Sequence, residues 1–196
     1  MINDAMSWGG TMFAFNSRPP DPANVGEGWD DLWMSRLKAN DPWSMNWLSH
    51  QTPDAFWQHG SVCENYGDIE CAVYAVGGWA DGYSNAVPRM LEGLSCLKKG
   101  LVGPWAHKYP HFALPGPRIG FLQETLRWWD YWLKNKDTGI MDEPEYRVWM
   151  QGSAPPATHC PIRNGRWVSE PTWPSDHIQW QRLYLQGKNL TAKIGE

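Results

Sequence analysis

Residues 69–83, IECAVYAVGGWADGY, decide how this 196-residue chain is read. Ile69, Ala72, Val73, Tyr74, Ala75 and Val76 form a nearly continuous apolar run closed by Gly77 and Gly78. A strand with one wet face alternates apolar and polar residues. A continuous run has no wet face and fits a parallel strand covered on both sides. Downstream, NAVPRMLEGLSCL sets Val87, Met90, Leu91 and Leu94 at helical spacing, and KKGLVGPW is a second buried strand ending in Gly-Pro. PRIGFLQETLRWWDYWLKNKDTG predicts the longest helix. Its stripe is Ile119, Leu122, Leu126, Trp129 and Leu133, with Pro117 in the first turn and Gly139 just past the end. Strand, helix, strand, helix is the grammar of a parallel α/β sheet.

The flanks read differently. Residues 1–26 are loop-like, since SRPPDPANVGEG is dense in Pro, Gly and Asn. DDLWMSRLK, PWSMNWLSHQ and PDAFWQHG predict short Trp-rich helices, the last with Pro53 in its first turn, and together they resemble a cap laid over another layer. After Pro144, YRVWMQG, GRWVSE and WQRLYLQG read as strands of an antiparallel sandwich. Three strands are too few for an independent β domain, so the sequence reads as truncated at its C-terminus.

Composition excludes several function classes. The formal charge is −4 and no basic cluster exceeds Lys98-Lys99, so no nucleic-acid partner is expected. There is no apolar run of about 18 residues, so no membrane partner is expected either. Asn3 and Asp4 interrupt any signal peptide at once, and the expected location is cytoplasmic. Cys63, Cys71, Cys96 and Cys160 form no C-x-x-C pair, and the simplest reading is buried free thiols. HKYPH offers His107 and His111 at a metal-pair spacing, but Pro110 breaks the helix such a pair needs; no metal and no cofactor are expected. The 15 tryptophans are spread along the chain and read mostly as packing units.

The chemistry lies just past the two apolar runs. In doubly wound folds reactive groups sit at the carboxyl ends of the strands. GGWADGY sets Asp81 there after the first run, and GPWAH sets His107 there after the second. An acid followed by a histidine, each past a parallel strand, is the back half of an α/β-hydrolase triad: histidine takes a serine proton, and a carboxylate holds its ring in the right tautomer. Each residue also has an ordinary reading, Asp81 as a turn former and His107 as a surface residue. Trp79 and Trp105 are candidate walls of a substrate pocket, with packing beneath the loops as the equal alternative.

GGWADGYSNAVPRMLEGL, KKGLVGPWAHKYPH and FLQETLRWWDYWLKNKDTGI, in that order, resemble the CocE/NonD hydrolases of the Xaa-Pro dipeptidyl-peptidase (S15) group. The resemblance implies that Asp81 and His107 are the catalytic aspartate and histidine of a serine hydrolase acting on acyl esters or amides. It also implies the architecture. Residues 1–66 would be a loop and helical cap segment, 67–143 the C-terminal half of an α/β-hydrolase core, and 144–196 the beginning of an antiparallel β jelly roll. The implied partner is a small acyl ester or short peptide, and homo-oligomerisation of the full-length enzyme is left open. The alternative function is a catalytically inactive Trp-rich binding or interaction module of the same fold.

The nucleophile is the open question. AMSWG around Ser7 is a relaxed G-x-S-x-G elbow, which requires a buried strand before the serine and a helix after it. MINDAM is no such strand. In the family a Ser-Trp without catalytic role also precedes S-R-P-P-D-P, and Ser7 lies at that distance from RPPDP. The expectation is that the triad serine, with the oxyanion stabilisers, lies upstream of this sequence and that the chain alone is inactive.

Overall fold

A computed structural model describes residues 2–193, and the chain breaks between Glu64 and Asn65 into two compact units. No described helix is long and apolar enough to cross a membrane.

The first unit is helical: α1 (Ile2–Asn16), α2 (Pro22–Val25), α3 (Trp29–Ala39), α4 (Trp43–Ser49) and α5 (Ala55–Gln58). The expected loop over residues 1–26 is therefore wrong for its first half. Two glycines cost a helix about 1 kcal/mol each, yet a Cβ on Gly9 would come within 3.0 Å of the Trp47 ring and 3.1 Å of Ser44 Cβ. Glycine is what lets α1 lie against α4, and packing outweighs propensity. Asp21 caps α2 by accepting the Ala23 N–H (2.9 Å), with Pro22 first in the helix. Asp54 rather than Pro53 starts α5, its carboxylate accepting the Phe56 N–H (3.0 Å). Trp43, Trp47, Trp57 and Phe56 form a run of ring contacts. Among residues 5–64 only Gly9 is buried.

The second unit holds β1 (Val73–Gly78), α6 (Ala86–Gly93), β2 (Lys98–Gly103), α7 (Phe121–Lys134), β3 (Tyr146–Gln151), β4 (Gly165–Glu170), β5 (Tyr184–Gln186) and β6 (Asn189–Thr191). The first four strands make one mixed sheet in the order β1-β2-β3-β4, while β5 and β6 form a separate antiparallel hairpin. β1 and β2 are parallel, with Val73 opposite Lys98 and Gly78 opposite Gly103. Both faces of this pair are covered. Ala75 and Val102 pack with Val87 and Leu91 of α6 on one side; Tyr74, Val76 and Leu101 pack with Trp105, Ala113 and Ile119 on the other.

Four expectations need correction here. The first strand after Pro144, read as part of an antiparallel sandwich, belongs to the core sheet: β3 joins β2 in parallel, and β4 then pairs antiparallel with β3. A helix the length of α7 is the connection that returns a chain to a parallel neighbour, and α7 makes β3 that neighbour. The stripe read into α7 also points the wrong way, for Leu122, Leu126, Trp129 and Leu133 are 53 to 73% exposed. Trp128 is buried instead, 5.2 Å from the Tyr74 ring. Polar anchors hold that face inward. Tyr74 donates to Glu124 (2.5 Å), Arg147 donates to Tyr74 (2.7 Å) and to Glu124, and Arg127 bridges Glu124 and Glu143. Burial raises the Tyr74 pKa, so its hydroxyl stays a donor. The helix begins at Phe121, not near Pro117, and ends on Asn135, whose φ of 52° takes the left-handed cap expected nearer Gly139. The four thiols are free but not buried: Cys63 and Cys71 are exposed, Cys96 and Cys160 partly so.

Candidate active site

Asp81 and His107 meet because the ends of β1 and β2 come unusually close. Gly78 closes β1 against the segment that follows β2, where a Cβ would lie 2.0 Å from the Trp105 carbonyl oxygen. Only glycine permits that approach. Past it, the Trp79 N–H donates to Gly103 O (2.9 Å) and the Ala80 N–H to Trp105 O (3.0 Å). Gly103 gives equivalent room on the other strand, since its Cβ would strike the Trp105 ring at 2.4 Å. Trp105 is buried, its indole N–H donating to Pro117 O (2.8 Å). The two glycine-rich turns are thus locked edge to edge, one carrying the acid and the other the base.

His107 Nδ1 and Asp81 Oδ2 are 2.8 Å apart, and Asp81 Oδ1 accepts the Tyr83 N–H (2.9 Å). Burial raises the Asp81 pKa, but the Tyr83 N–H, the hydrogen bond with His107 and the imidazole charge outweigh it and hold the carboxyl below its usual value. Against an ionised carboxylate, a neutral imidazole donates from Nδ1 and leaves its lone pair on Nε2. The Asp81 side chain is 14% exposed and that of His107 81%, and Nε2 has no hydrogen bond among the described residues. A basic nitrogen facing outward, with its other nitrogen held by a carboxylate, can take a proton from a hydroxyl brought to it.

Beside the pair lies a cleft of about 480 Å³. Val76, Gly77 and Gly78 border it on the β1 side, and Tyr109, Phe112 and Phe121 supply rings. Of the two tryptophans read as pocket walls, Trp105 borders this cleft while its ring packs in the core. Trp79 does not line it, and its indole N–H donates instead to Trp149 O (2.7 Å), fastening the Asp81 turn to β3. The rings of Tyr109, Phe112 and Phe121 were missed in the sequence; the density of aromatics in HKYPHF could have found the first two, whereas Phe121 lies outside that stretch, at the start of α7. Ser7 lies inside α1, exposed, rather than on a strand-to-helix turn. A second couple, His50 and Asp54 at 2.6 Å, was also missed. It joins α4 to α5, with His50 stacked on Phe56 at 4.3 Å, and belongs to a helix cap rather than to the end of a parallel strand.

The chain is similar to known proteins both in fold and in sequence. In fold, the chain is similar to a CocE/NonD family hydrolase from Staphylococcus aureus, with a TM-score of 0.59 and 16% identity over 84% of this chain and 29% of that one. It is also similar to an aminopeptidase from a marine sediment archaeon of the Thaumarchaeota, with a TM-score of 0.56 and 19% identity over 83% of this chain and 28% of that one. In sequence it is 33% identical over 110 residues to candidate serine esterases of Mycobacterium bovis and Mycobacterium tuberculosis, a match spanning 53% of this chain and 16% of each relative. The family profile described as X-Pro dipeptidyl-peptidase (S15 family) matches residues 1–109, a stretch that includes both Asp81 and His107. On that match, over more than half of its length, the chain belongs to the X-Pro dipeptidyl-peptidase (S15) family.

Proposed function

We propose that this chain supplies the acid–base half of a serine hydrolase that cleaves acyl ester or amide bonds. His107 takes the proton of a serine hydroxyl as that oxygen attacks the carbonyl, then returns it to the leaving group. Asp81 orients the imidazole and stabilises the imidazolium. The serine, on a G-x-S-x-G elbow, and the oxyanion donors come from polypeptide upstream of these 196 residues. The sheet of β1 to β3 is read as the C-terminal half of an α/β-hydrolase core, the helical unit as part of its cap, and the antiparallel strands after β3 as the opening of a jelly roll. Trp105 forms the floor of the substrate cleft, and Trp79 pins the turn that carries the acid.

The observation that carries this reading is the 2.8 Å hydrogen bond between Asp81 and His107, each just past one of two adjacent parallel strands. The substrate is a small acyl ester or a short peptide, the two classes that the names of the relatives and of the family suggest. A fluorophosphonate probe tests the assignment. The chain alone is expected to remain unlabelled; purified with its upstream polypeptide, the elbow serine is expected to label, and His107→Ala to abolish labelling. Labelling of the chain alone that disappears in Ser7→Ala would refute an external serine. Labelling of the assembly that survives both His107→Ala and Asp81→Asn would refute the role given to the couple.

A further inference from the structure

The cleft beside His107 has walls that acid–base chemistry does not account for. Among the rings that line it, Tyr109 and Phe121 lie in nearly parallel planes, 25° apart; the His111 ring, outside the lining, stacks against both, 23° from Tyr109 and 6° from Phe121. Their centroids are 6.1 to 6.3 Å apart. Phe112 stands across them, at 68° to Tyr109 and 87° to His111. A parallel set and one perpendicular ring make a corner, in which a flat guest finds offset stacking and an edge-to-face contact together. A saturated ring finds only apolar area. Tyr109 and Phe112 are 64% and 46% exposed, so the core does not consume these faces.

Charge narrows the guest further. Both Asp81 oxygens are committed, to His107 and to the Tyr83 N–H, while Lys108 is among the residues that line the cleft. The surroundings suit a neutral or electron-rich ring and disfavour a cation. Position then selects the half of the substrate. The imidazole that protonates the departing oxygen stands on the leaving-group side, and Lys108, Tyr109, Pro110 and Phe112 of the cleft follow His107 directly in the chain.

We propose that this corner is a leaving-group subsite selective for aryl alcohols, an inference that rests on the hydrolase reading of Asp81 and His107. In the step it serves, the bond between acyl carbon and aryl oxygen breaks. The proton on His107 Nε2 passes to that oxygen, and the acyl group stays on the oxygen of the nucleophile.

Binding of the leaving group needs no nucleophile, so the chain as it stands can be tested. Phenol and cyclohexanol, matched in size, are titrated by ligand-observed NMR. Phenol is expected to bind about tenfold more tightly, the size of one or two favourable ring contacts. That ratio is expected to collapse in Tyr109→Leu and Phe112→Leu, which keep apolar bulk. Equal affinity for the two probes, or a ratio unchanged in both variants, overturns the subsite. Aryl selectivity in a protein whose assembly never labels with fluorophosphonate would sink the hydrolase reading and leave the aryl site standing. Labelling without aryl selectivity would do the reverse.

Discussion

Replacing Gly78 by alanine tests how the site is assembled. The new Cβ would lie 2.0 Å from the Trp105 carbonyl oxygen, 2.7 Å from its carbonyl carbon and 3.0 Å from its Cα. All three are backbone atoms, so no side-chain rotation relieves the clash. Carbon contacts settle at about 3.5–4.0 Å, and the two strand ends must separate by more than about 1 Å. That movement breaks the bonds from the Trp79 and Ala80 N–H groups to Gly103 O and Trp105 O, each contributing about 1 kcal/mol. Overpacking adds about 1–3 kcal/mol. The expected loss is about 3–5 kcal/mol, which at a urea slope of about 2 kcal/mol/M lowers the midpoint by about 1.5–2.5 M. Gly82→Ala, in the same turn, is the control: nothing lies within 4 Å of its Cβ, and its effect should stay within about 0.5 kcal/mol. Urea unfolding followed by tryptophan fluorescence measures both, and the imidazole Nδ1–H resonance of His107 reports whether Asp81 still holds it. Equal midpoints for the two variants would refute the claim that Gly78 lets the acid and the base meet.

The Asp81 carboxyl titrates below its usual value in the folded chain, so its contribution to stability is complete above about pH 4 and disappears as the pH falls through the lowered value. The stability difference between the parent and Asp81→Asn should therefore shrink on acidification, and a difference constant from pH 7 to pH 2 would contradict it. Glu124→Gln removes the carboxylate at which Tyr74, Arg127 and Arg147 converge, and it should cost about 2 kcal/mol in urea unfolding. Burial raises the Glu124 pKa but Tyr74 and the arginines lower it further, so this loss too should fade below about pH 4. Asn135→Gly, at a φ of 52°, should stabilise by about 0.5 kcal/mol and Asn135→Ala destabilise by about 1 kcal/mol, both read from thermal midpoints.

The placement of Asp81 and His107 at neighbouring strand ends was legible because its signal is local. A continuous apolar run ending in glycine predicts a buried strand, and the next polar side chain then stands at its carboxyl end. The rings that shape the cleft gave no such signal. Tyr109 and Phe112 come from the segment after His107, whereas Phe121 begins α7, and no periodicity joins them. α7 shows the limit most clearly. Its leucines repeat at helical spacing and still face outward, because Glu124 and Trp128 meet partners on β1 and β3 that lie about 20 to 55 residues away. Periodicity identifies a helix and its two faces; which face is buried depends on what the other elements bring to it.

By itself, then, the sequence determined the two strands covered on both faces, the helix after each, and an acid and a histidine at neighbouring strand ends. These follow from short-range order: the alternation or continuity of apolar residues and the glycines that stop them. The tertiary structure decided that residues 2–16 are helical in spite of Gly9 and Gly10, that β3 returns to the core sheet, that Trp79 fastens a turn rather than lining the cleft, and that Asp81 and His107 stand 2.8 Å apart. Each of these depends on groups distant in the chain, such as Trp47 against Gly9 or Trp105 against Gly78. Close packing between such groups outweighs the fraction of a kilocalorie to about 1 kcal/mol that separates local conformational preferences.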